Sequence, residues 1–333
     1  MPNTIELFKK NAPELLDKIY KAESTTSDFD INRALVQAGK NANEIIVPVL
    51  DMDGLGDYDR NSGYIDGDVS LTNETKKFNY ERGRKLKTDA IDNEETGGVI
   101  LGNLSAEFLR TKVIPEVDAV RYATYASIPK ISEVEATYEN AEAVYKAIAK
   151  AWDDMTNDEV PEEDRHLRIT STLLGYIRDM DTTKSKDLLN KSIKVVPQSR
   201  FQTAIELLSG KDADGERKGG FKKIAAVYEL TKDKAVNNAK TYYTKNSDKY
   251  TKVANPSTDS ISTYYEKTVE ESKDINFMIL HKPALLQYTK HNKMKVFTPE
   301  QDQDGDNYKW LYRLYGLNEY YNNKVAGIFV SHK

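Results

Sequence analysis

The stretch from Ile45 to Lys87 is long, alternates apolar with polar residues in two runs, and carries too few apolar side chains for a core of its own. Ile45, Ile46, Val47, Val49 and Leu50 read as the start of a strand, and Gly54, Gly56, Gly63 and Gly67 then punctuate an acidic loop. Val69 and Leu71 alternate with polar residues, and so do Phe78, Tyr80 and Leu86, so the return path also reads as strand. The two runs have opposite parity, which predicts a bulge or bend between Asn73 and Lys77. The stretch is expected to form one two-stranded ribbon. Such a ribbon is at best marginally stable alone in water. It must lie on its own domain or on another copy of the chain.

The charges along the ribbon are sorted. Asp51, Asp53, Asp57, Asp59, Asp66, Asp68 and Glu74 make the first part acidic, relieved by Arg60. Lys76, Lys77, Arg82, Arg84, Lys85 and Lys87 make the second part basic, against Glu81. Two readings follow. The arms of one hairpin neutralise each other, or one end of the ribbon meets the opposite charge on a neighbouring subunit. Complementary patches set register and partner choice more than raw affinity. On the second reading Asp57, Asp59, Asp66 and Asp68 are the acidic candidates for inter-subunit contact, and Lys76, Lys77, Arg82, Arg84, Lys85 and Lys87 the basic ones.

The chain of 333 residues is long enough for one large or two ordinary domains. Its apolar share, 39%, is below the usual range, and 21 tyrosines supply apolar area with a polar tip, which suits half-buried surfaces and interfaces. A net charge of −5 argues against a nucleic-acid binder driven by phosphate contacts. The absence of cysteine excludes disulfides and thiolate metal sites. Met1 to Ala22 carries Glu6, Lys9, Lys10, Glu14, Asp17 and Lys18, unlike a signal peptide, and no apolar run is long enough to span a bilayer.

Residues 1–44 read as a partly helical arm that docks on something else. Between Asp92 and Ile128, Leu101, Leu104, Phe108, Ile114, Val117 and Val120 recur at helical spacing, and Pro115 should kink or divide that helix. Residues 129–210 look like an α/β unit. Ser132 and Glu135 have capping-box spacing, and Ala141, Val144, Tyr145, Ile148, Trp152 and Met155 line one face of the helix that follows. A strand (His166 to Ile169), a helix (Thr172 to Met180) and strand-like runs near Ile193 and Phe201 come next. Residues 211–273, polar and bounded by Gly215, Gly219 and Gly220, read as a surface insertion rather than core. The end is strand-rich: Ile275 to Leu280, Lys293 to Phe297, Tyr308 to Tyr315 and Val325 to Val330, with a short helix opened by Pro283 through Gln287.

Chemistry-bearing motifs are sparse. Asp51-Met-Asp53-Gly54-Leu-Gly56-Asp57 and Asp302-Gln-Asp304-Gly-Asp306 invite a calcium reading, but Ser62 and Arg313 stand where each loop needs its bidentate Glu. The four histidines, His166, His281, His291 and His332, are scattered. Nothing resembles a nucleophile elbow, a phosphate loop or a dinucleotide fingerprint. No catalytic residue, metal or cofactor is expected.

Several long stretches, in order, carry a resemblance: DMDGLGDYDRNSGYIDGDVSL, YERGRKLKTDAIDNEETGG, EFLRTKVIPEVDAVRYA, and DINFMILHKPALLQYTKHNKMKVFTPEQDQDGDNYKWLYRLYG with NKVAGIFV. Over residues 1–210 and 274–333 the chain resembles tailed-phage major capsid proteins of the Hong Kong 97-type fold, in the version found in phages of low-GC Gram-positive hosts. The resemblance implies an α+β fold with an N-arm (1–44), an extended E-loop (45–91), a spine helix of the peripheral domain (92–129), an axial domain (130–290) carrying the insertion 211–273, and peripheral-domain strands (291–333). It implies hexamers and pentamers that close into an icosahedral shell around double-stranded DNA, held without sequence-specific binding and filled by a motor. A separate scaffolding protein, a portal protein and a decoration protein on residues 211–273 would be the partners. The subunit would reside in the virion and assemble in the host cytoplasm, with no membrane involved. Some members join a ribbon lysine to an asparagine near the chain end with help from a glutamate. Lys76, Lys77, Asn318, Asn322 and Asn323 are the residues of those types here, and no matching motif assigns them that role.

Two rival readings remain. An encapsulin, a bacterial shell of the same fold that encloses an enzyme, would need an inner groove for a cargo peptide. An enzyme would need a cluster of buried titratable groups in one pocket.

Overall fold

The computed structural model describes residues 24–31, 37–38, 43–58, 60, 63–91, 107–180, 182–210, 219–231, 241–246, 249–253, 264–303 and 305–333. Four strands come first: β1 (Gln37–Ala38), β2 (Glu44–Met52), β3 (Val69–Lys77) and β4 (Tyr80–Asp89). A helix described from residue 107 passes through a π-helical stretch, Leu109–Val113, into α1 (Ile114–Ala126). Then follow β5 (Ser132–Glu135), α2 (Ala141–Asn157), β6 (Arg165–Ile169), α3 (Ser171–Asp179), α4 (Thr183–Leu189) and β7 (Ile193–Val195). Six short strands occupy the next stretch: β8 (Ile205–Ser209), β9 (Gly219–Lys223), β10 (Val227–Leu230), β11 (Tyr242–Asn246), β12 (Lys249–Lys252) and β13 (Tyr265–Val269). The end is β14 (Ile275–His281), β15 (Leu285–Phe297), β16 (Asn307–Tyr320) and β17 (Ile328–His332).

These elements form two compact units. One takes its described residues from Met1–Arg110 and Pro283–Lys324, the other from Thr111–Lys282 and Val325–Lys333.

The second unit is built on a five-stranded sheet in the order β5-β17-β14-β6-β7. Its central strand, INFMILH, is buried at every position, so its continuous apolar run reflects cover on both faces. Val144, Ile148, Ala151, Trp152 and Met155 recur along one stripe of α2 and meet Phe277, Ile279, Leu167, Ile169 and Phe329 of the sheet. Pro115 sits in the first turn of α1, directly after the π-helical stretch. Proline lacks an N–H and its ring crowds the carbonyl four residues back, so the widened turn is where the helix absorbs it. On α1 the fully buried Asp118 accepts a hydrogen bond from Arg200 at 3.4 Å. The short strands make a four-stranded sheet, β10-β13-β11-β12, and a two-stranded one, β8-β9.

The first unit holds the longest strands. β15, β16 and β4, of 13, 14 and 10 residues, pair antiparallel in that order. A register shift falls between Thr289 and His291 opposite Gly316, where an added Cβ would meet the Tyr288 carbonyl at 2.9 Å. Glycine is what lets the two backbones approach there. β2 and β3 form a separate hairpin in continuous register from Glu44↔Lys77 to Met52↔Val69.

Four expectations need correction, and one helix had no expectation. The stretch 45–91 is not one ribbon: β2 and β3 form the hairpin, while β4 leaves it and pairs with β16, from Gly316↔Tyr80 to Asn307↔Asp89. The change of parity marks this change of partner, at Phe78 and Asn79, just beyond the predicted bend. Ser132 and Glu135 are not a capping box, because Ser132–Glu135 is β5, paired parallel to β17; the N-cap of α2 is Asn140, which accepts from the Ala143 N–H at 2.8 Å. The helix after Pro283 stops at Ala284, since Leu285 already pairs with Tyr320. The run near Phe201 is a 3-10 turn, Gln198–Arg200. Finally α4 was not expected; a reciprocal box between Thr182 and Ser185 starts it in a segment with little apolar periodicity.

Candidate assembly surface

The hairpin leaves the body of its unit at a firmly held base. Ile45 and Val47 are buried against Leu286 and Leu317, with Ile31, Phe78, Tyr288 and Tyr321 around them. The Phe78 ring lies 4.7 Å from that of Tyr315. Asn79 donates to the Asn318 carbonyl at 2.7 Å and to Glu319 Oε1 at 3.2 Å, and accepts from the Asn318 N–H at 3.0 Å. Lys76 Nζ donates to Asn322 Oδ1 at 3.3 Å, and Asn322 Nδ2 donates to Glu74 Oε2 at 3.0 Å. Lys76 is therefore engaged within its own chain, 3.7 Å from Glu74.

Burial raises the Glu319 carboxyl above its ordinary value, against the opposing pull of Lys76 and the Asn79 hydrogen bond. A raised carboxyl pKa in the folded state favours the folded form most below the unfolded value. That advantage fades as pH rises through the folded value. Glu319→Gln should therefore flatten the pH dependence of subunit stability on the alkaline side of the ordinary glutamate range. Urea unfolding at a series of pH values checks this, and an unchanged slope would contradict it.

Beyond the base the hairpin changes character. Leu50 lies opposite Leu71 and Met52 opposite Val69, so all four side chains share one face. They are exposed by 54%, 65%, 60% and 65% respectively. Leu55, Tyr58, Tyr64 and Ile65 continue the apolar surface at the tip. Large exposed apolar patches of this kind mark interaction sites. The same tip carries Asp51, Asp53, Asp57, Asp66 and Asp68, all exposed. Asp53 caps the turn by accepting from the Asp68 N–H at 2.8 Å. Asp59 lies outside the described residues.

The register separates the basic candidates into three groups. Lys76 and Lys77 lie at the hairpin base, opposite Ile45 and Glu44. Arg82 and Arg84 lie opposite Leu314 and Tyr312, on the half-buried face of the long sheet that also carries Leu86 and Trp310. Lys85 and Lys87 lie opposite Leu311 and Lys309, on the other face, and are exposed. The acidic tip and Arg82, Arg84, Lys85 and Lys87 are thus not two arms of one hairpin, and for these four residues the pairing overturns the reading in which such arms neutralise each other, whereas Lys76 lies 3.7 Å from Glu74 within the hairpin.

The open face of the long sheet contains more than Lys85 and Lys87. Lys295 follows Leu311 in the same row as Lys85, and Lys293 follows Arg313 in the row of Gly83. Lys85, Lys87, Lys293 and Lys295 are all exposed and share one side of the sheet. Arg313 on that side is held by Glu81, and the buried Lys309 by Asp302. Sequence reading missed Lys293 and Lys295, whose alternation with Met294 and Val296 was the available signal.

Among the described residues no group of three or more His, Cys, Asp or Glu is placed to hold a metal. The acidic turn at Asp302 serves instead to bind Lys309 and accept from Asn307 at 3.2 Å. No helix among the described residues is long and apolar enough to cross a membrane.

No family model matches the sequence, and no curated protein does. Solved structures do match. A virus-like particle from Pyrococcus furiosus aligns at a TM-score of 0.55 with 12% identity, over 98% of this chain and 99% of that one. The capsid of cyanophage P-SCSP1u aligns at 0.50 with 9% identity, over 88% and 84%. The capsid of Staphylococcus phage Andhra aligns at 0.50 with 11% identity, over 91% and 84%. The chain has the α+β capsid fold of the Hong Kong 97 type.

Proposed function

We propose that this chain is the major capsid protein of a tailed bacteriophage, many copies of which close into an icosahedral shell around double-stranded DNA. The observation that carries the reading is the hairpin. Its base is anchored in its own unit, while its distal half presents Leu50, Met52, Val69 and Leu71 with no cover among the described residues. A face of that kind on a capsid fold calls for another copy. In this reading the β2–β3 hairpin is the E-loop, β4, β15 and β16 are the peripheral strands, and the second unit, with residues 211–273 as its insertion, is the axial domain. A separate scaffolding protein, a portal and a decoration protein are the expected partners, and the virion is the final location. The role is structural rather than enzymatic.

The similarity to a virus-like particle favours a second reading, a shell that encloses protein cargo. The two differ in what the particle holds. Particles purified from the producing cells and treated with nuclease should retain long double-stranded DNA. Particles that hold a protein and no DNA would shift the assignment to the second reading. Compact monomers alone, even with scaffolding protein supplied, would overturn both.

A further inference from the structure

We infer that one face of the β10-β13-β11-β12 sheet binds an acidic polysaccharide. Each of the four strands carries a tyrosine followed two residues later by lysine or leucine: Tyr228-Glu-Leu230, Tyr243-Thr-Lys245, Tyr250-Thr-Lys252 and Tyr265-Glu-Lys267. Residues two apart on a strand share a face, and so do residues directly opposite each other on neighbouring strands. The register therefore collects all four pairs on one side. Tyr228 lies opposite Lys267, Tyr265 opposite both Leu230 and Tyr243, Tyr243 also opposite Lys252, and Lys245 opposite Tyr250. Glu229, Glu266, Thr244 and Thr251 fall on the other side. Among the described residues of these strands, the tyrosine face thus carries lysines and no carboxylate. Just past β13, Glu270 engages Lys267 at 2.6 Å, whereas Lys245 and Lys252 are exposed.

The rings are fixed before any ligand arrives. Tyr228 stacks on Tyr250 at 4.0 Å with the planes 8° apart and meets Tyr243 edge-on at 4.9 Å, and Tyr250 meets Tyr265 edge-on at 5.2 Å. Side chains already held in place lose little freedom on binding. The rings are half-buried, Leu230 beside Tyr265 is exposed, and Lys245 Nζ lies 5.6 Å from the Tyr250 ring centroid. Tyrosine offers an apolar ring with a hydroxyl at its end. The C–H face of a sugar packs on such a ring, its hydroxyls pair with the phenols, and the two lysines take carboxylate or phosphate groups spaced along the polymer. A single-stranded nucleic acid would use the same stacking, but it carries a charge on every nucleotide and needs a strongly basic track. Among the described residues the tyrosine face has no arginine, and the chain has a net charge of −5. A hydroxyl-rich ligand with sparse negative charge is the better match.

Affinity electrophoresis of the full-length protein through four polymers tests this: polygalacturonate, which carries carboxylates, phosphomannan, which carries phosphates, neutral dextran, and oligothymidylate. One of the two acidic polysaccharides should bind about tenfold more tightly than dextran or oligothymidylate, and which of them does so names the acidic group. Lys245→Gln with Lys252→Gln should weaken that binding about tenfold, with circular dichroism and shell yield unchanged. Tyr243→Phe with Tyr265→Phe keeps the rings, removes two hydroxyls and should weaken it about threefold. Failure of both acidic polysaccharides to bind, equal affinity for dextran, or wild-type affinity in the lysine variant would overturn the inference. Tighter binding of oligothymidylate would also overturn it, and would assign the face to single-stranded nucleic acid. The wild-type protein gives an independent answer by acetylation. The bound acidic polysaccharide should protect Lys245 and Lys252, and unchanged labelling of both would refute the contact. The shell reading stands apart from every one of these results, since it rests on the β2–β3 hairpin.

Discussion

Changing Leu50, Met52, Val69 and Leu71 together to Thr is expected to abolish shell assembly while leaving the isolated subunit as stable as before. The four side chains are more than half exposed in the subunit, so the folded chain loses little contact when they shrink. Surface changes of this kind usually fall within about 0.5 kcal/mol. Threonine also preserves strand propensity, and the hairpin register is fixed at its base by Ile45 and Val47. In an interface the arithmetic differs. Burying the exposed part of each side chain contributes roughly 1 kcal/mol. Four of them therefore amount to about 4 kcal/mol per contact, close to a thousandfold in association. That weakening recurs at every copy. Sedimentation velocity reads the shells and thermal unfolding reads the subunit. Wild-type shell yield would mean that this face is not covered on assembly. A large drop in subunit stability would mean that the face is part of the subunit's own core.

The second large effect lies in the other unit. Phe277→Ala should destabilise it by about 3–5 kcal/mol, as for a fully buried aromatic truncated in a core. Phe277 has no exposed surface, stacks on Phe329 at 6.0 Å and lies 6.1 Å from the Tyr138 ring. It sits on the central strand, whose neighbours on both sides hold it in register with Ile169 and Ser331. The site cannot collapse without moving three strands. A domain typically has only about 5–15 kcal/mol in hand, so the loss should also reduce soluble yield. Phe277→Leu should cost far less. Denaturant titrations should show a lower midpoint at constant slope, and a shift worth under about 1 kcal/mol would contradict the packing described.

How far the sequence foretells this structure depends on how local the determining pattern is. INFMILH declares a buried strand because every residue but two is strongly apolar, and β14 is buried throughout. The stripe from Val144 to Met155 declares α2, since its periodicity is contained within four turns. The hairpin base is legible for the same reason. What escapes is pairing between distant segments. Tyr80–Asp89 alternates as a strand should, but its partner is β16, more than two hundred residues later, and nothing local says so. The merged ribbon and the supposed neutralisation of its arms both follow from that gap. The face assignment was partly readable: Arg82, Arg84 and Leu86 fall on one parity and Lys85 and Lys87 on the other. Lys293 and Lys295 join the latter only through the β15–β16–β4 register. Ser132 shows the opposite failure, a local motif overruled when β17 recruits the segment as a parallel edge strand.

The most direct test of the whole account is a reconstruction of assembled particles by electron cryomicroscopy, at a resolution that traces the hairpin. The account predicts closed icosahedral shells in which Glu44–Lys77 of each copy reaches over a neighbouring copy, which covers Leu50, Met52, Val69 and Leu71. A shell in which the hairpin folds back on its own chain, or leaves those four side chains in solvent, would contradict it.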